Sequence, residues 1–162
     1  MSPNADTPAE LALLGTDDGP SFRLGPLEIL VKEDGRGTRG NLAIGEFRGT
    51  RFRIPPHEHT QHDENIYVLE GELGVSMGAE TWVARAGSSF TIPVGVPHAL
   101  WNETGRLVRF LNIIVPGRYL EYFREMAAAA PPGALPPPAE IARVMGHFGL
   151  VPSPPPAPGS RS

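Results

Sequence analysis

The sequence predicts an all-β domain, built as an antiparallel sandwich or barrel and followed by a short helical extension. Short runs rich in Val, Ile, Phe, Tyr and Trp lie between about residues 21 and 115, and Gly, Pro and Asn separate them at close intervals. Apolar residues recur at helical spacing only after this region. A chain of 162 residues is long enough for one well-buried domain and too short for two ordinary ones.

The strand candidates account for most of this region. In chain order they are LEILV, LAIGEF, RFRI, NIYVLEGELGVSM, ETWVARAG, SFTIP, HALWN and RLVRFLNIIV. The segment EGELGVSMGAETWVARAG contains a predicted hairpin that turns between Met77 and Glu80. The run VRFLNIIV is apolar on both alternating faces, so one face can fill the interior while the other needs a helix or a partner subunit as a cover. A homodimer is therefore a candidate assembly.

The chain after the strands predicts two helices. The first follows Pro116 and Gly117 and stops at PPG, and the second covers about residues 139–148. Both ends of the chain are rich in residues that oppose regular hydrogen-bonded structure. The expected organisation is a flexible N-terminal segment (1–20), a β-barrel domain (21–116), C-terminal helices (117–150) and a disordered Pro-rich tail (151–162).

Composition and charge exclude several classes of function. A net charge of −4 and a pI near 5.7 give no general attraction to nucleic acid or to anionic lipid. No apolar run is long enough to span a bilayer, and the N-terminus lacks the pattern of a signal peptide. The absence of cysteine rules out disulfides and thiolate metal sites. We expect a cytoplasmic protein with no nucleic-acid and no membrane partner.

Histidines next to a predicted strand indicate a metal site. Because strand side chains alternate, His57 and His59 in HEHTQHDENIYVLEG point the same way. Glu64 opens the next strand, where its carboxylate can return to the same centre. His98 follows the turn in GSSFTIPVGVPHALWN. Three imidazoles and one carboxylate suit one divalent transition metal ion, and manganese, iron, cobalt, nickel, copper and zinc all accept that set.

Other residues near this centre have competing interpretations. The whole cluster could instead be a solvated histidine loop beside a satisfied, buried His98. His62 lies in the loop between ligands, where a surface or supporting position is favoured over direct ligation. Packing in the core or at a subunit interface is favoured for Tyr67, Trp82 and Trp101 over a substrate site. The residues predicted to line a dry, apolar substrate cavity are Ile66, Val68, Leu100, Phe110 and Asn112.

Both histidine segments resemble the two motifs of the cupin superfamily. HEHTQHDENIYVLEG has the form H-x-H-x4-E-x6-G, and GSSFTIPVGVPHALWN has the form G-x5-P-x-G-x2-H-x3-N. The resemblance implies a double-stranded β-helix, the cupin jelly roll. It also implies that the family's metal ligands correspond to His57, His59, Glu64 and His98, and its turn residues to Gly71, Gly87, Pro93, Gly95 and Asn102.

The predicted function is that of a metal-dependent enzyme on a small substrate. The single-domain form and the exit NIIVPGRYLEYFREM resemble quercetinase-like monocupins, which implies a dioxygenase for an enolisable or aromatic, flavonol-like substrate with dioxygen as co-substrate. Glu64 would then be both ligand and general base, with its pKa raised by an apolar setting. The alternatives are a non-redox cyclase, isomerase or lyase, and a small-molecule binder without catalysis.

Overall fold

Two antiparallel sheets face each other and two short helices follow them. The structure, a computed structural model, describes residues 13–154. Its strands are β1 (Ser21–Leu24), β2 (Leu27–Glu33), β3 (Ala43–Gly49), β4 (Phe52–His59), β5 (Asp63–Glu70), β6 (Glu72–Met77), β7 (Glu80–Arg85), β8 (Ser89–Ile92), β9 (His98–Asn102), β10 (Val108–Val115) and β11 (Leu150–Pro152). The helices are α1 (Leu120–Ala129) and α2 (Pro138–His147), and a 3₁₀ turn at Gly117–Tyr119 precedes α1.

The sheet order is that of a jelly-roll sandwich. The first sheet runs β1-β2-β3-β10-β5-β8, and the second runs β11-β4-β9-β6-β7. The predicted all-β double-stranded β-helix with a C-terminal helical extension is confirmed. The prediction of a closed barrel is wrong, because among residues 13–154 no hydrogen-bonded ladder joins one sheet to the other. The two sheets are held together by side chains packed between them.

Aromatic side chains fill the space between the sheets. Phe47 and Phe110 are fully buried and stack with ring centroids 5.2 Å apart. Burying one such side chain stabilises the fold by about 1.5–3 kcal/mol. Phe123 of α1 meets Phe47 edge-on at 5.0 Å, so the first helix is anchored on the same core. The helical extension therefore lies against the sandwich at the end of the aromatic cluster.

The chain ends pack against the sheets further than their composition predicts. Strand β11 pairs with β4, so residues 151 and 152 belong to a strand and the prediction of a disordered tail is wrong there. Pro152 is tolerated because β11 is an edge strand, where a missing N–H costs no ladder bond. Near the other end, Lys32 Nζ donates hydrogen bonds to the carbonyls of residues 15, 16 and 18. The predictions for residues 1–12 and 155–162 lie outside the described residues.

The two faces of β10 have different surroundings. Phe110, Asn112 and Ile114 point into the sandwich and are buried, whereas Leu111 and Ile113 on the opposite face remain partly exposed. The described residues therefore cover this outer face only in part. Neither α1 nor α2 has the length and hydropathy that a bilayer crossing requires, and the same holds for every helix in residues 13–154.

Asn102 ties the loop after β9 to the neighbouring turn. Its side chain is buried, and Nδ2 donates to the carbonyls of Gly49, Thr50 and Arg106 at 3.3, 3.2 and 2.7 Å. Its Oδ1 accepts from the N–H and the hydroxyl of Thr104 at 3.0 and 2.8 Å. Replacing Asn102 with Ala removes all five bonds, and we expect the free energy of unfolding to fall by about 2–4 kcal/mol.

Urea unfolding of Asn102→Ala measures this loss against a matched control. Asn41→Ala removes the same side chain from an exposed loop, where no side-chain hydrogen bond is recorded among the described residues. The control should stay within about 0.5 kcal/mol of the parent protein. Equal stability of the two variants would show that the Asn102 network does not hold the turn.

Candidate metal and substrate site

Two neighbouring strands place three histidines at one end of the sandwich. His57 and His59 are two residues apart on β4, and His98 opens β9 directly opposite His57 in the ladder. The register between these strands shifts between Ile54 and His57, where two consecutive prolines interrupt β4. The imidazole rings of His57 and His98 consequently lie with their centroids 4.3 Å apart.

The three imidazoles converge on a common point. The Nε2 atoms of His57 and His59 are 3.1 Å apart, and the three ring planes are inclined to one another by 53°, 55° and 74°. The Nδ1 atoms of His57 and His98 each donate to a backbone carbonyl at 2.9 Å. Those bonds place the proton on Nδ1 and leave the Nε2 lone pairs facing inward. This donor set fits a divalent transition metal ion.

Glu64 completes the cluster from the other sheet. It stands near the start of β5, is buried, and its Oε1 lies 3.9 Å from His59 Nε2 and 3.5 Å from His62 Nε2. The three histidines of one sheet thus form one group, and Glu64 of the other sheet lies beside His59, the histidine that both groups share. Because Glu64 reaches the centre from the opposite sheet, the site depends on the correct packing of the two layers.

His62 is buried behind these residues. It is only 3% exposed, so the surface part of the sequence interpretation is wrong. Its ring stacks nearly parallel to His59 at 3.9 Å and to Tyr119 at 4.2 Å. His59, His62 and Glu64 could also hold an ion by distance alone. Two parallel stacked imidazoles cannot aim their in-plane lone pairs at one ion, however, so the set with His57 and His98 fits a metal better.

Burial keeps the histidines neutral while Glu64 stays charged. Burial lowers the pKa of His59 to about 3, that of His98 to about 4, and lowers the pKa of His57 as well. For Glu64 burial acts to raise the pKa, but the contact with His62 and the other neighbouring histidines outweigh it, so the pKa falls to about 2. The expectation of a raised Glu64 pKa is wrong. The site therefore offers neutral imidazoles and an ionised carboxylate, the protonation states that metal binding requires.

These shifts predict how the metal-free protein responds to acid. Unfolded histidines take up protons below a pKa of about 6.5, whereas folded His59 and His98 remain neutral, so stability falls as the pH decreases. Between pH 7 and pH 5 we expect each to cost about 2 kcal/mol of unfolding free energy. Urea unfolding in the presence of a chelator measures this loss.

A double variant isolates the contribution of the two histidines to this acid response. Replacing both His59 and His98 with Asn removes the two groups, so the variant should lose less stability between pH 7 and pH 5 than the parent. A parent stability that is constant or rises over this interval would contradict the assignment of neutral, buried imidazoles.

A cavity of about 440 Å³ opens next to the cluster. Its size is that of a pocket for a small organic molecule. Most of the wall is apolar, and the three histidines and Glu64 are among its polar side chains. Residues that line it include Leu24, Phe47, Phe52, Ile54, His57, His59, Glu64, His98, Leu100, Phe110, Asn112, Tyr122, Phe123, Met126, Ile141 and Met145.

The structure divides the predicted cavity residues into two groups. Leu100, Phe110 and Asn112 line the cavity as expected. Ile66 and Val68 do not line it, although they belong to the same buried core cluster as Leu100 and Phe110. Alternation along a strand places a side chain on the inner face of its sheet. Its position between the two ends of the sandwich then decides whether it contacts the cavity.

The sequence interpretation missed the contribution of the helices to this cavity. Tyr122, Phe123 and Met126 of α1, and Ile141 and Met145 of α2, all line it. Their helical spacing was visible in the sequence, but the spacing indicates only that the helices are amphipathic. It does not show which part of the sandwich they cover.

The aromatic residues Tyr67, Trp82 and Trp101 do not line the cavity. Tyr67 and Trp82 are 41% and 43% exposed, and Trp101 packs beneath the guanidinium of Arg53 at 5.3 Å from the ring centroid. Arg53 lines the cavity rim and pairs with Glu103. Among the described residues, no other arginine or lysine lines the cavity. The interior therefore lacks the group of cations that a phosphorylated ligand would need.

Comparisons with known proteins agree with the fold and the motifs. The family model described as "Cupin domain" matches residues 45–114. The polyketide cyclase RemF from Streptomyces resistomycificus has a similar fold, with a TM-score of 0.56 and 22% identity over 70% of this chain and 93% of that one. At that identity the likeness concerns the fold alone.

Two curated proteins are similar over parts of their length. "Polyketide synthase CurC" from Streptomyces cyaneus is 36% identical over 67 residues, which are 40% of this chain and 44% of that protein. "Quercetin 2,3-dioxygenase" from Bacillus subtilis (strain 168) is 28% identical over 95 residues, 58% of this chain and 28% of that protein. The chain thus spans less than half the length of either relative. Its fold, its two histidine motifs and the match at residues 45–114 show that the chain contains a cupin domain.

Proposed function

We propose that the protein is a metal-dependent enzyme that acts on a small enolisable or aromatic, flavonol-like substrate with dioxygen as co-substrate. The observation that carries this proposal is the convergence of three neutral imidazoles and one carboxylate at the polar end of an otherwise apolar cavity. Such a site suits a flat molecule that presents oxygen atoms to the metal and ring atoms to the wall.

Each side chain of the site has a distinct task in this proposal. His57, His59 and His98 would hold a divalent ion, which supplies Lewis acidity at a substrate oxygen. Glu64 accepts the proton of the substrate hydroxyl. Its pKa of about 2 makes it a weak base, so this transfer depends on the substrate becoming more acidic at the site. Phe110 and its apolar neighbours exclude water from the reacting atoms.

A dioxygenase reaction is supported by the similarity to quercetin 2,3-dioxygenase and by the chemistry of the wall. The cavity can accept an aromatic ring against Phe47, Phe52 and Phe110. Arg53 is the single arginine among the described lining residues, and it is already paired with Glu103. A phosphorylated substrate is disfavoured because no unpaired cation is left among these residues for its phosphate. Asn112 adds an unpaired carboxamide oxygen that can accept a hydrogen bond from a substrate hydroxyl.

The alternative is a non-redox cyclase, isomerase or lyase. The observation that favours a cyclase is the similarity to the polyketide synthase CurC, which is the more identical of the two curated relatives. The same Lewis-acid site would polarise a carbonyl group of a polyketide-like or keto-acid substrate. Dependence on dioxygen separates this class from the dioxygenase.

The decisive experiment measures metal content and then oxygen uptake. Elemental analysis of the purified protein identifies the ion, and the loaded protein is incubated with a panel of flavonols and β-diketones. We expect one equivalent of metal per chain and oxygen consumption with at least one substrate. Equal product formation under strict anaerobiosis would contradict the dioxygenase and support the alternative. Ligand-induced stabilisation without any product would indicate a binder that is not an enzyme.

We also propose a homodimer that uses the outer face of β5 and β10. Tyr67 and Leu69 are 41% and 37% exposed there, beside the partly exposed Leu111 and Ile113. Apolar residues grouped on one sheet face are typical of an interface. Sedimentation equilibrium tests the proposal, and replacement of Leu111 with Lys should shift the protein to monomer.

A further inference from the structure

The C-terminal helices supply a wall of the cavity that the cupin motifs do not include. All the family's motif residues lie between residues 57 and 102, and the family model matches residues 45–114. The helices lie beyond both, yet α1 and α2 contribute Tyr122, Phe123, Met126, Ile141 and Met145 to the lining. Four of these five side chains are apolar or thioether groups. Tyr122 is the exception, since it brings a hydroxyl group to the same cavity as Glu64.

The ring of Tyr122 is held in place while its hydroxyl is free. Phe123 meets the ring edge-on at 5.0 Å, and Phe148 does the same at 5.9 Å. No hydrogen-bond partner for the hydroxyl is recorded within residues 13–154, although Tyr119 on the preceding turn bonds to Gln61 at 2.7 Å. A donor that is fixed by its ring and lacks a protein partner is available to a ligand.

The chemical state of Tyr122 suits hydrogen-bond donation. Burial raises the pKa of the phenol well above its usual range, and the negative charge of Glu64 raises it further. The hydroxyl therefore keeps its proton at any pH at which the protein is folded.

A second unpaired polar group belongs to the same cavity. Asn112 is 2% exposed, and its carboxamide oxygen has no hydrogen-bond partner. Leaving a buried polar atom unpaired costs about 1–3 kcal/mol, so a hydrocarbon ligand would gain nothing from these groups. A ligand with oxygen atoms beyond its ring system would satisfy them.

We propose that Tyr122 is a substrate-positioning residue that donates a hydrogen bond to an oxygen atom of the ligand beside the metal. This inference rests on the proposed function, because it requires an oxygen-bearing ligand at the histidine cluster. In this proposal a helix outside the cupin motifs makes the cavity favour ring molecules that carry oxygen atoms. Tyr122 would orient the ligand without binding the metal itself.

Binding of two probes to the zinc-loaded full chain tests the proposal. The first probe is 3-hydroxyflavone, which carries a hydroxyl and a carbonyl group, and the second is 2-phenylnaphthalene, a hydrocarbon with no oxygen. For Tyr122→Phe we expect affinity for 3-hydroxyflavone to fall by roughly three- to tenfold, the cost of one neutral hydrogen bond. Affinity for 2-phenylnaphthalene should be unchanged or slightly higher. Tyr67→Phe removes an exposed hydroxyl from the outer face and should alter neither affinity.

The outcomes separate this inference from the function on which it rests. If the parent protein binds neither probe, both the proposed function and the role of Tyr122 are overturned. If the parent binds 3-hydroxyflavone and Tyr122→Phe binds it equally well, the proposed function stands and the inference is overturned. An equal loss of affinity for both probes would show that Tyr122 only shapes the cavity, which also overturns it. Zinc content, measured for each variant, should be the same.

Discussion

The variant His98→Ala is expected to lose its divalent metal. His98 is one of three grouped imidazoles that could hold an ion, and it is the candidate ligand on β9. Changes in the residues that merely support a ligand already cost 10- to 100-fold in metal affinity, so loss of a ligand should cost more than about a hundredfold. Competition with a chromophoric chelator measures the dissociation constant.

A second histidine provides the matched control. His147 is exposed at the end of α2, so His147→Ala removes the same functional group far from the cluster. This variant should retain the metal affinity of the parent. The circular dichroism spectrum should be unchanged for both variants, because His98 lies beside an existing cavity. Retention of parental affinity by His98→Ala would remove His98 from the ligand set.

The variant Glu64→Gln is expected to keep the metal and lose the reaction. The amide has the shape of the carboxylate but carries no negative charge and is a far weaker proton acceptor. Loss of a positioned general base typically reduces turnover by 10²- to 10⁴-fold. We expect a decrease of about that size, while the three remaining imidazoles keep the metal bound, with a smaller loss of affinity than in His98→Ala. Steady-state kinetics with the substrate found by oxygen uptake measures the first effect, and elemental analysis measures the second.

Glu58 offers the matched control for Glu64. It stands on β4 between His57 and His59, does not line the cavity, and pairs with Val151 of the edge strand in the ladder. Glu58→Gln should therefore leave both turnover and metal content unchanged. Parental turnover by Glu64→Gln would exclude proton transfer through Glu64, and loss of its metal would make Glu64 a necessary ligand instead.

The sequence was sufficient to predict the fold class and the proximity of the three histidines, which stay candidate ligands. Alternation placed His57 and His59 on one face, and the spacing of the two motifs placed Glu64 and His98 on other strands. The structure groups the three histidines and places Glu64 beside His59. This part could be predicted because a ligand's position within its strand is a local property.

Features that depend on contacts between distant segments could not be predicted. Ile66 and Val68 lie on the inner face as predicted, but in the core and away from the cavity, because their depth depends on how the two sheets pack. Pro152 suggested disorder, yet it forms an edge strand against β4. Tyr122 was recognised only as part of a helix, because the position of that helix depends on contacts such as that of Phe123 with Phe47.

The burial of His62 could not be predicted from the motif that contains it. Its place between His59 and Glu64 suggested a loop residue near the surface. The stacking of its ring between His59 and Tyr119 instead buries it. Tyr119 comes from the turn before α1, so only the folded C-terminal segment creates this environment. No property of the motif itself could have indicated the stack.

Anomalous diffraction from crystals of the metal-loaded protein tests the central claim most directly. Data collected on both sides of the absorption edge of the bound metal locate that ion without reference to any assumed ligand. The account predicts one peak per chain, at about 2.0–2.2 Å from the Nε2 atoms of His57, His59 and His98. A peak beside His62 instead, a peak only on the outer surface, or no peak in a protein soaked with the ion would contradict it.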